Sequence, residues 1–167
     1  MASATSTRIF RPPNRLAVLA ERPGGLPRTF AVQRAERCVE AQRRPAMKAL
    51  HILIDTLDAM GAAQGPLMPG ELPHLRRVAG QLVSLALIYD QDLLAEAGMK
   101  LCDLIAIFAR CGLPHRDPVM VHVRALRLLA PGCALPQAEA GQVLDELDRV
   151  LAYFGGAPPP VMDLPRA

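Results

Sequence analysis

The sequence predicts an all-α protein, and two observations carry that prediction. Of the 167 residues, 51% are apolar but only 4% are aromatic. The core must therefore be built from Leu, Val, Ile, Ala and Met, which suits helices packed on helices. Most of the sixteen prolines cluster in or next to the gaps between stretches with helical periodicity, where proline separates helices. We therefore expect an antiparallel four-helix bundle with an accessory helix and short connections.

Five segments carry apolar residues at the i, i+3, i+4 spacing of an amphipathic helix. They span residues 30–62, 71–89, 91–111, 117–130 and 136–154. Pro45 lies within the first segment, where it must either start a new helix or kink a continuous one. Segment 71–89 is apolar nearly all round, so it is either buried or presents a second apolar face.

The two ends of the chain differ in composition from the middle. Residues 1–28 are predicted to form a flexible arm, and residues 155–167 a disordered, proline-rich tail. The bundle domain is expected between them, at residues 29–154. Five arginines against one glutamate give residues 1–29 a net charge of +4, which leaves −1 for the remainder.

This charge distribution and the hydropathy exclude several classes of protein. Because the positive charge belongs to an arm and not to a folded face, no nucleic-acid partner is expected. No apolar run is long enough to span a bilayer and no signal peptide is recognisable, so we expect a cytoplasmic protein without a membrane partner. The four cysteines include no Cys-x-x-Cys pair and are expected to be buried free thiols.

No set of residues typical of catalysis is present in the sequence. Ser84 is not in a Gly-x-Ser-x-Gly turn, and no glycine-rich phosphate loop exists. His51, Asp55 and Asp58 share one helical face, but such a trio is more typical of a solvated polar edge than of a metal site. We therefore predict no catalytic residue, no cofactor and no metal, and a role in binding other proteins.

Two stretches resemble a known group of proteins. The first is Arg11-Pro-Pro-Asn-Arg-Leu-Ala-Val-Leu, continued by Pro23-Gly-Gly-Leu and a long helix. It resembles the N-terminus of small proteins found with chemotaxis genes in alphaproteobacteria, often labelled CheE. The stretch from Leu72 to Ala130 is similar too, through Leu101-Cys-Asp-Leu-Ile and Val121-His-Val-Arg-Ala-Leu-Arg-Leu-Leu. The resemblance covers much of residues 8–130 and implies a role in bacterial chemotaxis or two-component signalling.

The central region also resembles a histidine phosphotransfer (Hpt) domain. Those domains are four-helix bundles whose second helix reads roughly Ala-His-x-Leu-Lys-Gly. The corresponding stretch here is Val78-Ala79-Gly80-Gln81-Leu82-Val83-Ser84, in which Ala79 and Leu82 match. Gly80 takes the place of the phosphorylated His, Val83 that of the Lys and Ser84 that of the Gly. Because glycine has no nucleophilic nitrogen and valine no positive charge, the resemblance implies a helix that has lost phosphotransfer.

What such a helix retains is a docking surface for a receiver domain or a chemotaxis kinase. Gly80, Val83, Ser84 and Leu87 would lie on one side of the helix and form that surface. The arm would be a second binding element, in which Arg8, Arg11 and Arg15 favour an acidic partner surface. The alternative is that this side of the helix is covered core, beneath the arm or residues 30–44.

Two other functions stay open at the level of the sequence. One is an active phosphotransfer protein that uses His51, although no basic residue stands at the Hpt lysine spacing from it. The other is a homo-oligomeric helical scaffold, for example a homodimer formed through the apolar helix 71–89.

Overall fold

The computed structural model describes residues 24, 27–63, 65–112, 114–133 and 135–156. These residues form five α-helices and one short 3₁₀ helix at Pro69–Glu71, and they contain no strand. The α-helices are α1 (Arg28–Gly61), α2 (Leu72–Ile88), α3 (Asp92–Cys111), α4 (Arg116–Leu128) and α5 (Gln137–Gly155). The all-α prediction is confirmed, and the ends of each predicted helix lie within two residues of the observed ones.

The chain divides into two units between Ala41 and Gln42. In the first unit, residues 27–41 are all exposed. Pro45 lies inside α1, so the helix is continuous and does not restart there. Proline has no N–H to bond the carbonyl four residues earlier, which here belongs to Ala41. The helical ladder therefore lacks a bond at the residue where the first unit ends. The predicted limits of the arm and of the tail stay predictions.

In the second unit, α3 is the central helix and packs against α2, α4 and α5. Its buried residues are almost entirely aliphatic, as the composition predicts, and Phe108 is the exception. Phe108 makes an edge contact with Phe154 of α5, with ring centroids 5.4 Å apart. The helix ends at Gly112, whose φ of +68° is the left-handed conformation that glycine adopts without strain.

A glycine in α3 allows α2 to approach closely. A Cβ at Gly98 would lie 2.7 Å from Cγ2 of Val83 and 3.1 Å from Cδ2 of Leu82. These distances are well inside the normal separation of about 3.5–4.0 Å between carbon atoms. The contact between α2 and α3 is therefore closed, with no room for an added methyl group.

Two arginines tie α1 to its neighbours. Arg116, at the start of α4, donates to the carbonyls of Met60 at 2.6 Å and Gly65 at 3.0 Å, and pairs with Glu71 at 3.3 Å. Arg127, near the end of α4, pairs with Asp55 at 2.9 Å and Asp58 at 2.8 Å. Between these contacts, α1 inserts Leu50, Ile54 and Leu57 into the common core.

The cysteines depart from the expectation of burial. Cys102 and Cys111 are half-buried, but Cys38 and Cys133 are exposed, so the prediction is wrong for those two. Cys38 lies in the exposed part of α1, and Cys133 follows the turn after α4. Burial raises the pKa of the Cys102 thiol. No helix in the described part of the chain combines the length and apolar character needed to cross a bilayer.

Candidate functional site

An open groove of about 720 Å³ lies between α1 and α2 in the second unit. Its lining consists of Ala49, Ile52 and Leu53 from α1 and Arg77, Gly80, Gln81, Ser84, Leu85 and Ile88 from α2. The two helices are antiparallel. Arg43 of α1 donates to the carbonyl of Tyr89 just after α2 at 3.4 Å, while Arg116 joins the last turn of α1 to Glu71 just before α2.

Two small residues of α2 leave this groove open. The Ser84 hydroxyl donates to the Gly80 carbonyl one turn earlier, at 2.9 Å, and so turns back on its own helix. A Cβ at Gly80 would meet nothing within 4 Å. Glycine inside a helix costs about 0.5–1 kcal/mol relative to alanine. No packing contact requires Gly80, and its missing side chain leaves open space in the groove.

Large apolar side chains stand exposed along the groove. Ile52 of α1 is 64% exposed and Ile88 of α2 is 60% exposed, and both line it. Leu87, next to Ile88, is 53% exposed. Clustered apolar side chains on a surface are typical of a protein contact site, whereas single ones are ordinary.

The four α2 residues predicted to bind a partner separate into different environments. Gly80 and Ser84 line the groove. Leu87 is exposed, and Val83 is half-buried with a methyl group directed at Gly98 of α3. The helical repeat explains this split, because positions 83 and 87 are rotated toward α3 relative to positions 80 and 84.

The other predicted partner-binding residues, Arg8, Arg11 and Arg15, lie outside the described residues. One side of α2 is buried core, and its exposed side carries both apolar residues, Leu87 and Ile88, and polar ones such as Arg77 and Gln81. The buried residues are Leu72, Leu75, Val78, Ala79, Leu82 and Ala86.

The groove carries positive charge. Its lining residues fall within 49–53 and 77–88, and these two stretches contain one basic residue, Arg77, and no Asp or Glu. Arg77 lies in the lining, and its guanidinium is 3.3 Å from Nδ1 of His74. Lys48 is exposed one turn before Ile52. Among the described residues, no carboxylate pairs with Lys48 or Arg77.

Sequence reasoning identifies only the α2 half of this groove. Ile52 lies off the apolar stripe formed by Leu50, Leu53 and Leu57, and that displacement was the available signal for a second apolar face on α1. The chain matches no protein-family model, no curated protein and no solved structure.

His51 and its neighbouring carboxylates are engaged with other groups. The His51 Nε2 lies 3.1 Å from the Pro131 carbonyl, which accepts, so this nitrogen carries the proton in the contact. Asp55 and Asp58 both pair with Arg127, and these contacts raise the pKa of the guanidinium. The described residues contain no group of three His, Cys, Asp or Glu side chains arranged to hold a metal ion.

Among the residues that the structure describes, the most deeply buried titratable side chain lies away from the groove, in α4. His122 is 0% exposed, and its Nδ1 donates to the Pro118 carbonyl at 2.8 Å. Its Nε2 is buried without a hydrogen-bond partner in the described part of the chain. Burial lowers the pKa of His122, and the positive charge of Lys100 lowers it further. The histidine is therefore held neutral.

Lys100 of α3 connects this region to α5. Its ammonium group donates to Asp148 at 2.5 Å and lies 3.3 Å from Glu96. Burial opposes the charge, but the hydrogen bonds to Asp148 and Glu96 outweigh it and raise the pKa of Lys100. Lys100 thereby links α3 to α5, and we assign this cluster to the packing of α3, α4 and α5.

Proposed function

We propose that this protein is a non-enzymatic regulator that binds another protein through the groove between α1 and α2. The observation that carries the proposal is the open apolar groove itself, in which Ile52 and Ile88 are each more than half exposed. Covering these side chains removes apolar surface from water, which favours a complex with a partner that packs against this face.

The partner class follows from the resemblance to Hpt domains. In the proposal, the second unit is an Hpt-like four-helix bundle with one accessory helix, and its partner is a receiver domain or kinase of chemotaxis or two-component signalling. Gly80, which takes the place of the phosphorylated His, lies in the groove with Ser84. A receiver would therefore meet a small, apolar surface where an Hpt domain presents its histidine. It would be bound without phosphotransfer, and signalling would be modulated by occupancy.

The direct test is calorimetric titration of the full-length protein with purified receivers and kinases encoded in the same operon. Gly80→Leu places a side chain in the groove where the added Cβ has open space. Gly141→Leu in α5 is the matched control, because a Cβ there also meets nothing within 4 Å. We expect Gly80→Leu to weaken binding on the order of tenfold or more, equivalent to about 1.4 kcal/mol, and the control to bind as the wild type does. Equal loss in both variants, or no binding by any receiver or kinase, contradicts the proposal.

The predicted arm would add a second contact, mainly by attracting an acidic partner. Replacing Arg8, Arg11 and Arg15 together by Gln should slow association and reduce its dependence on salt, with little change in dissociation. Stopped-flow association at two ionic strengths measures both effects. A variant that changes only the dissociation rate would assign the arm a different role.

The two other functions predict different results. A homo-oligomeric scaffold would sediment as a dimer or larger species at micromolar concentration, and Leu87→Asp would dissociate it. A phosphotransfer protein would become labelled by a phosphorylated receiver, and His51→Gln would abolish the label. Either result would replace the docking proposal.

A further inference from the structure

We propose that the groove takes an acidic amphipathic helix of the partner, with apolar side chains in the groove and Asp or Glu along the flanks. This inference rests on the proposed function and specifies the chemistry of the partner at the same site. Three properties of the groove lead to it: its charge, its shape and its length.

The charge of the groove selects for an acidic occupant. The stretches that line it, residues 49–53 and 77–88, contain Arg77 and no Asp or Glu, and Lys48 directly precedes the first of them. Arg77 lies in the lining near Leu53, and Lys48 lies on the α1 edge one turn before Ile52. The acids beside these stretches along the chain are engaged: Asp55 with Arg127, Glu71 with Arg116 and Asp90 with Arg43. Carboxylates on the flanks of an incoming helix would therefore meet ammonium and guanidinium groups that have no carboxylate partner among the described residues.

The shape of the groove selects for a helix. It is a shallow, open groove between two antiparallel helices, and a third helix can pack along such a groove with its ridges in the grooves of both. The lining of α2 extends from Arg77 to Ile88, which corresponds to roughly 17 Å, or three turns of helix. An occupant of about three turns with apolar residues at i, i+3, i+4 and i+7 covers Ile52 and Ile88 together.

Other occupants fit these properties less well. The predicted arm carries a net charge of +4 in residues 1–29 and would meet a basic edge of the same sign. A second copy in a two-fold contact would place one basic edge against another. A lipid bilayer is flat on this scale and would not fill a channel between two helices. A helix of acidic character satisfies the charge and the shape at once.

The test is a selection from displayed amphipathic helices on the full-length protein. The library fixes Leu at i, i+3, i+4 and i+7 and varies the flanking positions among Glu, Gln and Lys. We expect Glu to be enriched on the wild-type protein. On the double variant Lys48→Glu with Arg77→Glu, we expect Lys to be enriched instead. Arg110→Glu with Arg124→Glu, two exposed arginines on α3 and α4, is the matched control and should retain the wild-type preference.

The outcomes separate this inference from the proposed function. Binding of the selected acidic helix should fall on the order of tenfold in the Lys48/Arg77 variant and be unchanged in the control. If selected helices need Ile52 and Ile88 but show no charge preference, the acidic partner is wrong and the groove remains the docking site. If selected helices still bind Ile52→Ser with Ile88→Ser, the groove itself is wrong. Sedimentation with phosphatidylglycerol vesicles that depends on Lys48 and Arg77, without any helix selected, overturns the proposal in favour of a lipid surface.

Discussion

The contacts on the two sides of α2 each include a helical glycine, but only one of these glycines is closely packed. Toward α3 the contact is closed, because a Cβ on Gly98 would collide with Val83 and Leu82. Toward α1 the contact is open, and a Cβ on Gly80 would meet nothing. Both glycines lie in helix interiors, where glycine is unfavourable. The protein's own packing accounts for Gly98 but not for Gly80, which, like Gly141 of α5, has open space at its Cβ position.

The largest loss of stability is expected from adding a side chain at Gly98, where the contact with α2 leaves no room for one. Gly98→Val should lower the free energy of unfolding by about 1–3 kcal/mol, the range for overpacked cores, because Val83 is branched at Cβ and has little freedom to move. Urea unfolding of the purified variants measures it. Adding Val83→Ala should recover part of the loss. If Gly98→Val is as stable as the wild type, the α2/α3 contact is not closed.

Acid should lower the free energy of unfolding through His122, which lies in the closely packed region around α3. Burial holds the pKa of His122 below its unfolded value of about 6.5, so the native protein binds fewer protons than the unfolded chain. The stabilisation is complete above pH of about 6.5 and is lost as the pH falls toward the lowered native pKa. Unfolding free energies measured by urea between pH of about 5 and 7 should fall with acid.

His122→Asn should remove this dependence while its amide still donates to the Pro118 carbonyl. His74→Asn is the matched control, since His74 is exposed on α2 and should leave the acid dependence in place. An acid dependence that survives in His122→Asn would mean that another group is responsible. The groove lining contains no histidine, so binding of a partner should respond less to pH in this range than stability does.

On the open side of α2, adding a methyl group at a glycine should raise the free energy of unfolding instead of lowering it. Gly80→Ala should raise the free energy of unfolding by about 0.5–1 kcal/mol, because alanine favours helix and the methyl group meets no atom. The same variant should bind its partner more weakly, while Gly141→Ala should gain similar stability without losing binding. Thermal or urea unfolding together with calorimetric titration measures both. Destabilisation by Gly80→Ala would mean that the groove is closed in solution.

The smallest effect is expected at Ser84. Its hydroxyl bonds the Gly80 carbonyl on an exposed surface, and that contact competes with the helix's own pattern. Ser84→Ala should therefore change the free energy of unfolding by no more than about 0.5 kcal/mol. Urea unfolding checks this value, and a larger loss would show that Ser84 holds part of the core together.

The sequence predicts the helices well because their signals are local. Apolar periodicity, Pro118 near the start of α4 and Gly112 after α3 each act within one or two turns. The helix pairing is not local. Nothing in the sequence around Gly98 shows that Val83, fifteen positions earlier, leaves no room for a side chain at position 98. The five-way contact of Arg116 with α1, its following loop and Glu71 is equally invisible in the sequence.

The groove is predictable from the sequence only in part, because its two sides come together through helix pairing. Gly80 and Ser84 stood out because they differ from the Hpt pattern, and the structure places both in the groove. Ala49, Ile52 and Leu53 are brought beside them by the antiparallel pairing of α1 and α2, which periodicity alone does not determine. Val83 and Leu87 have the same spacing on α2 as Gly80 and Ser84. How far α3 covers each of them depends on the direction from which α3 packs, which the sequence does not show.

The central claim is that the groove between α1 and α2, and no other face, receives the partner. The most direct measurement is an NMR titration of ¹⁵N-labelled full-length protein with the receiver or kinase domain that binds in calorimetry. The account predicts the largest amide shift changes at Ile52, Leu53, Gly80 and Ser84, and little change at the exposed residues of α5. Changes concentrated on α4 and α5 with the groove unaffected would contradict it.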